Sequence, residues 1–229
     1  MITDSQKGFS LVELLVVVLV VALLAGLSVP VLQSAMTKAE KTECLSNVKQ
    51  IGLSMLLYAN DHSGRLPLNS SHGGTAHFSV PLGDYLPEKS DIFSCPADPM
   101  GEDRVANGSS SYVLNYWTSS VVVDLLRGTS IDHTHLRRFQ NPSQVPLLFI
   151  GAETNGLDPS NDHTHSNTWN SWFAVANDVE VDRHRVGARS DDRTRGATTI
   201  AYADGHAEAV SAADLKGLFA ANPNFARPE

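Results

Sequence analysis

The stretch KGFSLVELLVVVLVVALLAGLSVPVL, residues 7–32, decides how this chain is built. From Leu14 to Leu32 no side chain is charged, and nearly every residue is Leu, Val, Ala or Gly. A helix of that length crosses about 30 Å of hydrocarbon. A secretory signal would carry a more basic leader, a shorter apolar core and a small-x-small cleavage site, and the stretch fits none of these. A buried core helix is seldom apolar on every side over so long a run. The stretch therefore reads as a membrane-spanning helix. Glu13 does not suit a plain anchor, because it sits four residues after Phe9, where the apolar run begins. A carboxylate in a bilayer costs about 2.5–3.5 kcal/mol on insertion scales, so it calls for a partner.

Beyond Pro30 the helical spacing persists and changes character. Cys44, Val48, Ile51, Met55 and Ala59 recur at intervals of four, three, four and four, with Lys41, Glu43, Asn47, Lys49 and Gln50 on other faces. This predicts an amphipathic continuation over residues 33–60, ending near Asn60 where NDHSGRLP supplies the breakers. Pro30 lies inside the combined helix and predicts a kink rather than an end, since membrane helices tolerate the lost hydrogen bond. From residue 61 onward, short apolar segments alternate with turn residues, the pattern of a small, mostly antiparallel sheet with long loops. SYVLNYW (111–117) and VPLLFIGAE (145–153) read as strands, and ATTIAYADGHAEAVS (197–211) as a hairpin around Asp204 and Gly205 in a type I′ turn. A closing helix is expected from Ser211, with Asp214 in the capping-box position, to just before Pro223. The fold class is α+β: a long helix, transmembrane and then amphipathic, packed on a β-rich head.

The chain has 229 residues, 42% of them hydrophobic and 18% charged, which is ordinary for a globular protein with an appendage. Its net charge of −8, without a clustered basic footprint, speaks against nucleic acid as a partner. Basic residues do gather from Arg183 to Arg195, but Asp182, Asp191 and Asp192 are interleaved with them, and the segment reads as a solvated loop. Two cysteines, Cys44 and Cys95, are too few for a disulfide scaffold or a Cys-only zinc site. Outside the cytoplasm they could bridge, contributing roughly 4 kcal/mol in the chain-entropy model. Two buried free thiols are the alternative.

KGFSLVELL combines a polar leader ending in Gly8, an aromatic residue, and an apolar run with a glutamate near its start. This resembles the signal of type IV prepilins and of the pseudopilins of type II secretion systems. The resemblance implies a leader of residues 1–8, cut between Gly8 and Phe9 by a membrane peptidase that also methylates the new amino terminus. It implies an assembly helix over 9–32 and a head over 61–229. Glu13 would attract the terminal amine of a neighbouring subunit as a filament grows, and methylation leaves that amine charged. The chain would be a single-pass inner-membrane protein with its head in the periplasm, and later part of a periplasmic or cell-surface filament. Its implied partners are copies of itself, sister pseudopilins, the prepilin peptidase and an inner-membrane assembly platform. Pro30 falls where pilin helices bend. CLSNVKQIGLSMLLYANDHSGRLP, FSCPADP and YADGHAEAV look like landmarks of a prepilin-like group found in planctomycetes and verrucomicrobia. That group often ends with a histidine shortly before an Asp-Gly pair. Here nineteen residues separate His184 from Asp204, and RSDDRTRG reads as an insertion.

Several weaker patterns accompany these. The tetrapeptide DHTH occurs at 132–135 and at 162–165, and on a strand each pair, His133 with His135 and His163 with His165, would share one face and could serve a metal. Solvated loop histidines are the simpler reading. Calcium is suggested by the resemblance, because some major pseudopilins hold that ion in a C-terminal loop. GLDPSNDH offers Asp158, Asn161 and Asp162 as oxygen ligands, without an EF-hand pattern. Trp169 and Trp172 could form a glycan or partner platform, or pack in the core. No GxSxG, HExxH, P-loop or CxxC pattern is present, and drawing His184, Asp204 and His206 into a triad ignores the simpler duty of Asp-Gly as a turn. The sequence thus points to a structural subunit rather than an enzyme. The alternative is an envelope-anchored module that binds metal or glycan and does not polymerise.

Overall fold

Five apolar residues at helical spacing set the architecture. Helix α1 runs over Leu11–Asp61, and Cys44, Val48, Ile51, Met55 and Ala59 are all buried on one side of it, as their spacing predicts. The backbone stays helical through position 30, so Pro30 does not end the helix. The end comes after Asp61, where Ser63 and Gly64 take φ values of 58° and 86°. The Gly64 N–H then donates to the Ala59 carbonyl at 2.7 Å, a left-handed closure in which glycine meets no steric penalty.

The computed structural model describes residues 9–86, 91–124 and 129–228. It divides into two compact units, one up to Met36 and one from Thr37 onward. In the first unit the described side chains from Leu11 to Leu32 are exposed all round the helix. Its most apolar window has a mean hydropathy of 2.9, and the helix is long enough to cross a membrane.

The second unit is built on a sheet. In chain order its elements after α1 are α2 (Ser79–Leu82), α3 (Gly101–Ala106), β1 (Tyr112–Leu114), α4 (Tyr116–Ser119), β2 (Val121–Asp124) and β3 (Thr129–Asp132). There follow β4 (Pro146–Ile150), α5 (Trp172–Asp178), β5 (Ala197–Tyr202), β6 (Ala207–Ser211) and α6 (Ala212–Ala221). The main sheet has the order β1-β4-β5-β6 with every pair antiparallel, and β2 and β3 form a separate hairpin. This is the α+β, pilin-like architecture that the sequence predicts.

Strand alternation sends side chains to two cores. On one face Tyr112, Leu114, Leu148, Ile150 and Ala201 pack with the buried stripe of α1. On the other, Val113, Phe149, Ile200 and Tyr202 pack with Val175 of α5 and Leu215 of α6. Both faces of β4 and β5 are covered, so these strands read as nearly unbroken apolar or small runs.

Gly52 lets α1 lie close to the sheet, since a Cβ there would stand 2.9 Å from the Cβ of Ala201. Gly52→Ala would gain about 1 kcal/mol of helix propensity. It would lose about 1–3 kcal/mol to overpacking, because Ala201 is held in a central strand and has no flexible end to move. A net drop of a few degrees in thermal midpoint is expected, and an unchanged or raised midpoint would show that the contact relaxes freely.

Three local expectations need correction. The strand expected over 111–117 stops at Leu114, because Asn115 accepts the Trp117 N–H and starts α4. The Asn115 side-chain amide is held by the carbonyls of Pro146 and Ala226 at 2.8 and 2.6 Å. The strand expected over 145–153 covers only Pro146–Ile150. The hairpin turn is not type I′, since Gly205 has φ 90° whereas Asp204 is not in the left-handed region. The Gly205 N–H donates to the Tyr202 carbonyl at 3.0 Å, and the Tyr202 N–H to that of His206 at 3.0 Å. That is a three-residue loop, a type I turn followed by a left-handed glycine. The closing helix starts as expected, with Ser211 Oγ accepting the Asp214 N–H at 3.1 Å.

Candidate functional site

At the start of α1 the Glu13 carboxylate accepts the Ser10 N–H at 2.8 Å, and Ser10 Oγ accepts the Glu13 N–H at 3.2 Å. This is a reciprocal capping box, which satisfies two donors that the first helical turn leaves open. The signature was legible in SLVE, residues 10–13, but is hidden when Glu13 is weighed only as a charge in lipid. Only the first of these bonds reaches the carboxylate, and its donor is an uncharged backbone N–H. Phe9 is exposed, and Gly8, the residue expected to precede the cut, lies outside the described residues.

The head holds a buried sulfur and nitrogen cluster. Cys44 and Cys95 are free thiols, and their Sγ atoms and a ring nitrogen of His184 all lie within 4.8 Å of one another. Cys44 Sγ stands 3.5 Å from the Tyr112 hydroxyl and 3.4 Å from that of Thr199. Cys95 Sγ is 3.9 Å from His184 Nε2. Burial opposes ionisation of Cys44, but hydrogen bonds from Cys95 and His184 outweigh it and hold that thiol well below its ordinary value. Cys95 is pushed up, first by its hydrogen bond to Cys44 and then by burial.

The segment from Arg183 to Arg195 is a loop, exposed over residues 186–189 and at Asp191 and Asp192 as read, but Arg183 is buried and Arg189 and Arg193 turn in to buried acids. Asp98 Oδ2 lies 3.2 Å from Arg104 Nε, and Asp98 Oδ1 lies 3.5 Å from Arg183 Nη2, with all three side chains almost fully buried. Glu180 and Asp182 are buried too. Arg189 reaches Glu180 at 2.5 Å, and Arg193 contacts Glu180 and Asp182 together. Burial raises Glu180 above the usual carboxylate range despite these arginines. Burial also opposes ionisation of Asp182, but the Arg193 hydrogen bond prevails and holds its carboxyl below that range. Arg193 is kept at a left-handed φ of 52° while donating to the Ala176 carbonyl at 2.8 Å. The acids draw the arginines inward because a buried charge must be paired.

Comparison with known proteins bears on the first of these features. The family profile described as the prokaryotic N-terminal methylation motif matches residues 3–29. Over 105 residues the chain is 30% identical to the type II secretion system core protein G of Escherichia coli K12, covering 45% of this chain and 72% of that relative. The chain belongs to the pseudopilin family of type II secretion. The core protein G of Klebsiella pneumoniae is 32% identical over 102 residues, 43% of this pseudopilin and 71% of the relative. The prepilin peptidase-dependent protein D of Escherichia coli K12 is 33% identical over 72 residues, 31% of this chain and 47% of the relative. No solved structure matches. Pseudopilins are structural subunits, so this chain is one rather than an enzyme.

The remaining sequence candidates scatter over the head of this pseudopilin. His163 is buried against Asp162 at 3.1 Å, while His165 is exposed and faces Asp178 at 3.0 Å. His133 is half-buried and packs on Trp117, so the solvated reading fails for His133 and His163. Among the described residues only Cys44, Cys95 and His184 converge as metal-type ligands from His, Cys, Asp and Glu side chains. Asp158 binds its own turn through Ser160, Asn161 donates to the Asn155 carbonyl, and Asp162 accepts the Ser70 N–H. The two tryptophans pack in the core, with the Trp169 indole N–H donating to Asp178 at 2.6 Å and that of Trp172 to the Asp192 carbonyl at 2.8 Å. Asp204 and His206 pair with each other at the hairpin turn at 2.5 Å. His184 is bonded to Ala197 at the opposite end of β5, so no triad forms.

Proposed function

We propose that this pseudopilin is cut after Gly8, methylated at Phe9, and polymerised through residues 9–32 into a secretion pseudopilus with its sister subunits. The observation that carries the reading is the exposed apolar length from Leu11 to Leu32 with a single charged residue, Glu13, at its start. An apolar surface of that extent has to be covered, first by lipid and then by neighbouring helices. Retention in the inner membrane with the head in the periplasm precedes assembly on a membrane platform. Family membership supports the subunit role, and the matched methylation motif supports the processing step.

Co-expression with a type II secretion platform and prepilin peptidase is expected to yield sheared filaments that contain the chain. A chain that stays monodisperse in the membrane under those conditions would favour the anchored binding module.

A further inference from the structure

We infer that Cys44, Cys95 and His184 are the ligands of one thiophilic d10 cation, Zn2+ or Cu+. Three chain segments far apart in sequence deliver them: α1 supplies Cys44, the turn before α3 supplies Cys95, and the segment before β5 supplies His184. Ligand atoms around such an ion, bound at about 2.3 Å for sulfur and 2.0–2.1 Å for nitrogen, stand roughly 3.5–4 Å apart. Cys95 Sγ and His184 Nε2 already stand 3.9 Å apart, and all three atoms fit within 4.8 Å. Closing on an ion requires shifts of under about 1 Å. The ligand types are those that soft ions select.

The surroundings are arranged as an outer shell. The Tyr112 and Thr199 hydroxyls, at 3.5 and 3.4 Å, can donate to a Cys44 thiolate. The ion pair of Arg183 with Asp98 ties the residue beside His184 to the turn that carries Cys95, and the Asp98 N–H donates to the Cys95 carbonyl at 2.8 Å. Gly101 keeps that turn tight, since a Cβ there would meet Ser94 Oγ at 2.3 Å. Nε2 is the His184 ring nitrogen turned toward Cys95, while Nδ1 is buried without a hydrogen-bond partner among the described residues. A cavity of about 260 Å³ is lined by Cys95 together with Pro96, Asp98, Pro99 and Glu102. Two thiolates and a neutral imidazole around Zn2+ carry no net charge, which suits the burial. The ion would pin the Thr37–Asp61 part of α1 to the sheet, a staple that does not depend on the filament reading.

The test is metal analysis of the full chain, purified in detergent without chelator. One Zn or Cu per chain is expected, and the element found identifies the ion. Loss of that ion in Cys44→Ser, Cys95→Ser and His184→Gln is expected to follow. Should these variants fail to fold, cobalt exchange into the wild-type chain keeps the question open to measurement, because Co2+ held by thiolates gives an intense charge-transfer band. A metal-free chain whose two thiols react with a thiol reagent and which gives no such band overturns the site. So does an intact mass two hydrogens light, which marks a Cys44–Cys95 disulfide.

Discussion

Asp98→Ala is expected to cost the head about 3–5 kcal/mol, the range for breaking a buried ion pair from one side. The carboxylate faces Arg104 at 3.2 Å and Arg183 at 3.5 Å, and it accepts the Ser111 hydroxyl at 2.8 Å and the Met100 N–H at 3.2 Å. Burial already lowers the Arg104 guanidinium from its ordinary value, and Asp98 is the strongest influence holding it up. Without Asp98 two guanidinium groups remain in the interior, and neither can lose its charge cheaply. Asp98→Asn keeps the size of the side chain, so its smaller cost separates packing from charge. Urea unfolding of the full chain in detergent reads both variants, and a loss under about 1 kcal/mol for Asp98→Ala would mean that water reaches the site and screens it.

Glu13→Gln is expected to leave membrane insertion intact and to cut filament yield at least tenfold. Glutamine can still complete the capping box with Ser10, so the helix start survives and only the charge is removed. Insertion should if anything improve, since the cost of carrying a carboxylate into lipid, about 2.5–3.5 kcal/mol, is relieved. Assembly loses the partner of an incoming amine. Even about 1.5 kcal/mol per subunit contact, the low end for close interfacial charge pairs, lowers the elongation equilibrium about tenfold. Wild-type filament yield from Glu13→Gln would leave capping as the whole duty of Glu13, and Ser10→Ala would then be the variant that matters.

What the sequence disclosed follows from how local each signal is. The buried stripe of α1 was legible because Cys44, Val48, Ile51, Met55 and Ala59 repeat with the period of a helix and a single face satisfies all five. The hairpin at Asp204 and Gly205 was legible in position but not in type. Asp-Gly suits a type I′ turn and equally a type I turn closed by a left-handed glycine, and the pairing of Tyr202 with His206 chooses between them. The ion network was not legible. Val179, Glu180, Val181 and Asp182 alternate as a half-exposed strand would, yet all four are buried because Arg183, Arg189 and Arg193 fold back over the acids. The meeting of Cys44 and Cys95 with His184 is likewise tertiary, joined across segments that no spacing rule connects. At Glu13 the signal was local and present, since SLVE spells a capping box, but the cost of charge in lipid drew the reading to one role where the structure shows a second.

The proposed assembly depends on an amino terminus freed at Phe9, and the intact mass of the chain recovered from membranes containing a prepilin peptidase tests it most directly. The expected mass is that of residues 9–229 plus one methyl group, with fragmentation placing the methyl on the Phe9 nitrogen. A chain that retains residues 1–8 in the presence of an active peptidase would contradict it.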